Sequence, residues 1–486
     1  MNNAKKVILF GAGQIGGEAL RYFGENRVSC FVDNNEKLAG QKIQNIPVIS
    51  FQQLQEIDKD YRIVISVSAE KVFPIAEQLE AAGIRQYEIF LKILQGELKK
   101  QVAEITAQKQ KKYLVICNGG YPMEGNPRCI FAHERVKQYI KAGLNVDVFG
   151  FILGAPLSQY KFDGVDVTQG GVSSLRDLLK SNHYEKLLIH FADLWVLRAI
   201  QEAGKLDMPM IVWCHGYGVL PWYRCWFNYS REQIERSKKN LYQSDILLRN
   251  ELKAIYSMDN IHFVFVSAEL MERSKKFVGN LPKHHSVIHN YIDCEFFASP
   301  AKKSDDRFRI LSIKNHATRM YANDLTAKAI LELSEREIFS QLTFELYGDG
   351  ILFEDNYGEL MKKNFPNVHI YRKCLTHHEM RDLFCGNGIF LSPTRRDTQG
   401  VTSCEAMAAG MAVVTSSVGA VPEFIDEDCG SLFEYDNYWM MAEDIEYLCT
   451  RPDEFLRKSR NAVQRVRTQC GYEQTIGKEL QLITGA

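Results

Sequence analysis

The stretch from Ile389 to Ile425, IFLSPTRRDTQGVTSCEAMAAGMAVVTSSVGAVPEFI, leaves this chain few folds to choose from. Ile389 to Ser392 is a short apolar run of strand type that Pro393 ends, and a polar loop with Gly400 at its apex follows. Thr402 to Ala409 then reads as a helix. Thr402 and Glu405 have the S/T-x-x-E spacing of a capping box, and Gly410 sits where a helix stops. Met411 to Thr415 returns as a second apolar strand. Strand, glycine loop, helix and strand make one βαβ unit, with backbone N–H groups at the helix start free to hold an anion.

Two carboxylates bracket that helix start, Asp397 in the loop and Glu405 one turn in, spaced D-x7-E. Taken singly, Glu405 is the capping partner of Thr402 and Asp397 a solvated loop acid. Together with Gly400, the AMAAG run and Gly419-x-x-x-Glu423, they resemble the donor site of the retaining family-four glycosyltransferases of GT-B fold. That family's usual form is E-x7-E, then EAMAxGxPVV and a GGxxE-type turn. Here Asp397 stands for the first Glu, Ala412 for the Pro and Ala420 for a Gly. Aspartate is one methylene shorter, so the loop must come closer to a sugar or hold it less well.

At 486 residues the chain exceeds one ordinary core, and ~150 residues per domain suggests three. Lys+Arg 59 against Asp+Glu 60 leaves a formal charge of -1, so no basic field argues for nucleic acid. No apolar run reaches the ~20 residues that a membrane-spanning helix needs. Met1-Asn2-Asn3-Ala4-Lys5-Lys6 leads directly into a strand, with no signal peptide. A cytoplasmic chain is expected. The 12 cysteines scatter from Cys30 to Cys470 without a C-x2-C pair, which suits reduced core thiols better than zinc or disulfides.

The first 95 residues read as a small Rossmann-like domain. The strand KKVILF (residues 5–10) runs into Gly11-Ala12-Gly13-Gln14-Ile15-Gly16 and a helix to Tyr22, and Ser29 to Val32 ends in Asp33. This is the dinucleotide fingerprint in its strand–turn–helix context. Further strands fit Tyr61 to Ser66 and Tyr87 to Leu91, about the helix Ala69 to Ala82, and the segment is short for a full six-stranded nucleotide fold. Two readings stay open: a nucleotide-type ligand held at Gly11, Gly13 and Gly16 with Asp33 on a ribose, or glycines that only permit tight packing. With Asn35 to Gly40 and Ile46-Pro47-Val48-Ile49, the segment resembles the N-terminal domain of sugar O-acyltransferases. A dehydrogenase or epimerase is disfavoured, since no Tyr-x-x-x-Lys or substrate lobe follows within it. Residues 96–112 (GELKKQVAEITAQKQKK) read as a charged helical linker.

Tyr113 to Cys117 opens a second α/β unit with the loop Asn118-Gly119-Gly120-Tyr121-Pro122, a helix from about Ile130 to Ala142, and strands at Val146 to Phe149, Leu187 to Ile189 and Met210 to Trp213. It resembles the acceptor-side domain of a GT-B enzyme, in which Gly119 and Gly120 would let backbone approach a diphosphate. An ordinary tight turn accounts for the same two glycines. His215 follows the strand Met210 to Trp213, where ligands of open α/β sheets bind. A lone histidine is usually structural, but the resemblance places one here near the transferred sugar. Pro221-Trp222-Tyr223-Arg224-Cys225-Trp226-Phe227 suits core packing before a sugar-stacking wall or a membrane-interface lip. Val287 to Asp293 (VIHNYID) resembles the family's V-I-P-N-G-I-D crossing, with His289 for the Pro and Tyr291 for the Gly, and puts a boundary near residue 300.

Residues 301–469 are then the donor domain and 470–486 a helix crossing back to residues 113–300. Lys314 ends the strand Arg309 to Ile313, and Arg319 follows. Two cations on one cleft suit a nucleotide diphosphate, and the resemblance carries that role to this pair, in reversed order. Further strands fit Phe344 to Gly350 and His369 to Lys373. The expectation is an α/β chain: two Rossmann-like domains of GT-B type behind a small Rossmann-like one. It would be a retaining, metal-independent glycosyltransferase with a nucleotide-diphosphate sugar as donor and no required cofactor. A glycan or lipid-linked hydroxyl is the acceptor, in cell-surface polysaccharide or glycan synthesis, with a peripheral contact at the inner face of the cell membrane. Asp397, Glu405 and His215 are the catalytic candidates. Lys314, Arg319, Gly400, Val401, Gly119, Gly120 and Glu405 again are the donor-binding ones. One rival is a metal-dependent transferase, whose D-x-D would have to come from Asp58-Lys59-Asp60 or Asp426-Glu427-Asp428, neither of which follows an apolar strand. The other is a non-catalytic sugar-nucleotide sensor or scaffold.

Overall fold

Strand β1 (Val7–Phe10) is buried at all four positions, which places it inside a sheet covered on both faces. The computed structural model describes residues 6–57, 60–108, 113–124, 128–191 and 193–485. Residues 1–5, Asp58 and Lys59 of the Asp58-Lys59-Asp60 run, and linker residues 109–112 lie outside them. Two compact units result, Met1–Lys109 and Gln110–Ala486.

In the first unit, β1 is joined by β2 (Val28–Val32), β3 (Lys42–Ile43), β4 (Ile46–Ile49), β5 (Arg62–Ile65) and β6 (Tyr87–Ile89) in the order β3-β4-β2-β1-β5-β6. The segment judged short for six strands therefore reaches six. It does so with a two-residue β3 paired antiparallel to β4 across Gln44 and Asn45, both at positive φ; all other pairs are parallel. The charged helix expected over the linker starts earlier, at Phe90, and runs to Gln108. Phe90 is buried, 5.5 Å from the Tyr22 ring, so the helix is rooted in this unit's core.

The second unit holds two sheets. The first comprises β7 (Tyr113–Asn118), β8 (Val146–Phe151), β9 (Ser158–Phe162), β10 (Val165–Gly170), β11 (Lys186–His190), β12 (Met210–Cys214), β13 (Ile261–Phe265) and β14 (His284–Val287). Their order is β14-β13-β12-β11-β7-β8-β10-β9, and only β9–β10 is antiparallel. The second comprises β15 (Arg309–Ile313), β16 (Thr343–Gly348), β17 (Val368–Arg372), β18 (Ile389–Ser392), β19 (Ala412–Ser416) and β20 (Gly430–Phe433), all parallel, ordered β17-β16-β15-β18-β19-β20. Strand order reverses at β7 in one sheet and between β15 and β18 in the other. Open α/β sheets bind ligands outside the carboxyl ends of such strands. Gly119, Lys314 and the Asp397 loop follow strands at these two reversals, and His215 follows β12, two strands from β7.

A helix over Pro452–Cys470 packs on the second sheet's lobe, and after Glu473–Gly477 the last helix, Lys478–Thr484, packs on the first. Glu479 there is fully buried and accepts from Arg135 Nε (2.9 Å), Trp213 Nε1 (2.9 Å) and Tyr139 Oη (2.5 Å). Lys186 Nζ donates to the carbonyls of Leu482 and Ile483, at the helix end that favours a cation. All 12 cysteines are free thiols, eight of them buried. Among the described residues no helix is long and apolar enough to cross a membrane.

Candidate active site

The helix after β18 begins at Val401, one residue ahead of the sequence reading, and the capping box expected of Thr402 and Glu405 does not form. Gly400 takes the N-cap place at φ +77°, a left-handed conformation that glycine adopts without strain. Capping falls instead to Asp397. Its Oδ1 accepts from the backbone N–H of Thr398 (2.8 Å), Gln399 (3.1 Å) and Gly400 (2.8 Å). The Gly400 N–H is thereby used, so the free donors are those of Val401, Thr402 and Ser403. Asp397 Oδ2 stays without a hydrogen-bond partner among the described residues.

Freed from capping, Glu405 is buried, and burial with Glu134 nearby pushes its carboxyl up to about 8. His377, at the start of the helix His377–Gly386, stands between them. Its Nε2 is 3.6 Å from Glu405 Oε1 and its Nδ1 3.8 Å from Glu134 Oε1. Burial lowers His377 and raises Glu134, so each of the three is shifted toward its neutral form. Glu134 comes from the helix Ile130–Lys141 of the other lobe, so this trio spans the cleft. The sequence reading missed both of Glu405's neighbours. Among the described residues no group of three or more His, Cys, Asp or Glu, this trio included, converges as metal ligands.

Lys314 directly follows β15 and is buried, with no ion-pair partner among the described residues. Burial lowers its ammonium and Asp397 opposes that shift. Its Nζ lies 5.9 Å from the Tyr321 ring centroid. Arg319 is exposed, and its backbone N–H donates to Asn228 of the facing lobe (3.1 Å).

Facing this loop, His215 Nε2 is 3.1 Å from His190 Nδ1, an imidazole pair that burial holds well below the usual histidine range. The rings of Phe131 (4.5 Å) and Phe191 (4.7 Å) enclose His215, and its carbonyl accepts from Thr398 Oγ1 (3.2 Å). Gly119 and Gly120 both take φ +96°, but their N–H groups donate to the Phe151 carbonyl, each at 3.0 Å. These bonds shape the turn, and a Cβ added at Gly119 would meet nothing within 4 Å. The lobes are further joined by Gln399, whose amide exchanges hydrogen bonds with both backbone groups of Asn290. Glu423 caps the helix Ala268–Val278 through the N–H groups of Ala268 and Glu269.

Residues 307–451, which carry Lys314, the Asp397 loop and Glu405, match the family described as Glycosyl transferases group 1. The chain carries a group 1 glycosyltransferase domain. Residues 3–90 match a different family, C2185-like, N-terminal. The gpi3 subunit of phosphatidylinositol N-acetylglucosaminyltransferase from Schizosaccharomyces pombe is 27% identical over 186 residues, 37% of this chain and 39% of that protein. The chain thus spans about two-fifths of that relative's length. Among solved structures, sucrose-phosphate synthase from Thermosynechococcus elongatus superposes with a TM-score of 0.59 at 14% identity, over 77% of this chain and 99% of that one. Anabaena HepE, solved with UDP and glucose, gives 0.54 at 13% identity, over 77% of this chain and all (100%) of that one. The fold behind the first unit is GT-B, as the two Rossmann-like sheets require.

Two features about the group 1 domain depart from the sequence reading. The segment Trp222–Asn228, assigned first to the core, buries Phe227 but leaves Tyr223 and Trp226 more than half exposed at 58% and 55%. Arg396, beside Asp397, was overlooked. It is buried, and its Nε and Nη2 donate to nothing. The doublet Arg395-Arg396 was the available signal, but only the fold separates its members: Arg395 is spent on Asp324 (2.9 and 2.8 Å) and Asp436 (2.7 Å).

In the first unit, Gly11 and Gly16 are packing positions. An added Cβ would stand 2.4 Å from Val67 Cγ1 and 2.0 Å from the Gly11 carbonyl oxygen, respectively. Gly13 faces open space at the start of the helix Gln14–Phe23. Asp33 accepts from the N–H of Ala12 and of Asn35 (both 2.8 Å), bracing the loop.

Proposed function

We propose that this chain is a retaining, metal-independent glycosyltransferase. It moves a sugar from a nucleotide-diphosphate sugar to a hydroxyl acceptor in glycan or polysaccharide synthesis. The observation that carries the reading is Lys314, a buried ammonium without an ion-pair partner among the described residues, in one loop cluster with the free N–H groups at the start of helix Val401–Ala408. A buried unpaired cation is costly, and a leaving diphosphate is the ligand that makes such a charge useful, because its negative charge grows as the glycosidic bond breaks. Arg319, exposed at the edge of the cleft, adds a second cation. Glu405 holds the ribose hydroxyls, for which a carboxylate has two accepting oxygens. Asp397 braces the loop through Oδ1 and turns Oδ2 to the donor sugar. His215, kept neutral, contacts the sugar or acceptor. The acceptor hydroxyl attacks from the face the diphosphate leaves, so the anomeric configuration is retained and no protein nucleophile is required. HepE, solved with UDP and glucose, supports a nucleotide sugar as the donor class.

The test is transfer by the full chain from a panel of nucleotide sugars in excess chelator, with the product anomer read by NMR. Transfer with retention is expected. Loss of turnover on chelation, restored by Mn²⁺ or Mg²⁺, would reject the mechanism. Donor binding without turnover against any hydroxyl acceptor would make the chain a sensor instead. Replacing Lys314 and Arg319 together with Ala should cost several kcal/mol of transition-state stabilisation, about the value of lost oxyanion donors.

A further inference from the structure

Arg396 is 7% exposed, and two of its guanidinium nitrogens, Nε and Nη2, have no hydrogen-bond partner among the described residues. A buried guanidinium left this way is among the most expensive features a fold can carry, and a protein keeps one where something else completes it. Its surroundings make the charge worse. Arg224 and Arg273, both from the facing lobe, lie close enough to depress Arg396 further, to about 10 after burial, while Glu269 opposes them. Arg273 is already paired with that Glu269, whose two oxygens are buried without a hydrogen-bond partner among the described residues. Arg224 has no ion pair among the described residues and lies over the Tyr217 ring at 5.9 Å.

The position in the cleft is fixed by Gly216, at φ +108° just after His215. A Cβ there would be 2.8 Å from Thr398 Cγ2 and 3.9 Å from Arg224 Nη1, so the Arg396–Thr398 loop and Arg224 close on one point beside His215. Lys314, by contrast, follows β15 and interacts with Asp397, not with these arginines.

We propose that Arg396, Arg224 and Arg273 form an anion site for a phosphate group carried by the acceptor, separate from the donor diphosphate site at Lys314. Arginine forks match phosphoryl oxygens in pairs, and here they come from both lobes. The inference deepens the glycosyltransferase reading and rests on it: the hydroxyl that attacks belongs to a phosphate ester. That ester is a soluble sugar or polyol phosphate, or the headgroup of a phospholipid.

Calorimetry on the full chain tests it, with glycerol 3-phosphate and UDP as separate titrants, alongside flotation with phosphatidylcholine vesicles with and without phosphatidylinositol. Arg396→Gln and Arg224→Gln should each weaken glycerol 3-phosphate at least tenfold and leave UDP within a few-fold, while Lys314→Ala should do the reverse. Binding of glycerol 3-phosphate that Lys314→Ala abolishes and Arg396→Gln spares would overturn the acceptor site and leave the donor reading intact. Arg396-dependent phosphate binding with no UDP affinity would leave the anion site standing and sink the donor reading. Arg396-dependent capture of the phosphatidylinositol vesicles assigns the phosphate to a lipid, and capture of none assigns it to a soluble ester. If neither phosphate probe binds, the site does not exist. Folding gives an independent check, because removing an unpartnered buried charge should raise Tm. A lower Tm for Arg396→Gln would show the guanidinium to be a structural anchor and overturn the proposal.

Discussion

Glu405 is a carboxylic acid held neutral at the pH where its proposed partner, a ribose diol, is best met by a carboxylate. Its folded pKa of about 8 stands well above the ordinary value near 4.5. Folding therefore favours the protonated form, and the stability this contributes is complete at low pH and is lost as pH rises from about 4.5 through about 8. Glu405→Gln keeps the shape and cannot ionise. Its Tm should match the wild type near pH 5 and exceed it near pH 9, by about 1–3 kcal/mol once converted. Transfer should fall most above about pH 8, where wild-type Glu405 is a carboxylate with two accepting oxygens and the amide has one. Parallel Tm curves for the two proteins would remove the buried acid from the account. Asp397 makes a complementary case. Asp397→Ala strips the acceptor from three backbone donors and should cost about 1–2 kcal/mol, as lost caps do. Asp397→Asn, whose amide oxygen still accepts, should recover most of that stability in chemical denaturation but not the donor affinity. Equal destabilisation by both would mean that charge, not the hydrogen bonds, organises the loop.

Among the elements, what was legible in the sequence is the periodicity and what was not is the pairing. The strand–loop–helix–strand unit over 389–416 and the glycine turn after β1 were readable because each is local. The capping box misled because Thr402 and Glu405 satisfy its spacing, while the helix starts one residue earlier, with Gly400 at the N-cap and Asp397 holding the N–H groups of Thr398, Gln399 and Gly400 ahead of it. The β9–β10 hairpin and the trio about Glu405 were invisible, since nothing in 134, 377 and 405 as sequence positions says they meet. The N-terminal fingerprint shows the same limit: of three glycines in one motif, Gly11 and Gly16 are close-packed and Gly13 faces open space. Gly16→Val must drive its side chain into the Gly11 carbonyl, so the first unit should lose several kcal/mol, the scale of overpacking and backbone strain combined. Gly13→Val meets open space at φ −86° and should fold normally. If the first unit holds a nucleotide-type ligand, titrating the full chain with nucleotides, dinucleotides and coenzyme A should give a heat that Gly13→Val alone removes without loss of Tm. No such heat would reject the ligand and leave Gly11 and Gly16 as packing devices.

At the scale of the second unit, the last helix ties its lobes into one machine. Residues 452–470 are packed on the donor lobe, where Ser459 Oγ holds the Gly410 carbonyl at 2.6 Å, and beyond them Glu479 is sunk in the acceptor lobe. Glu479 and Arg135 are both fully buried at 2.9 Å, and Arg135 Nη2 continues to Asn290 Oδ1 (3.1 Å) on the segment that Gln399 of the donor loop grips. One carboxylate thus supports a path from the tail, through the acceptor lobe, to the loop carrying Asp397. Removing it leaves Arg135 Nε, Trp213 Nε1 and the Tyr139 hydroxyl without an acceptor. Glu479→Ala should cost about 3–5 kcal/mol, the range for breaking one partner of a buried pair. Glu479→Leu with Arg135→Met removes both charges and should be far less damaging than the sum of the single changes, a non-additivity that marks direct coupling. The double variant also separates stability from coupling: it should fold well yet bind donor more weakly, because Asn290 has lost the arginine that positions it against Gln399. Donor affinity at the wild-type level in a stable double variant would mean that the tail fastens the lobes without informing the site.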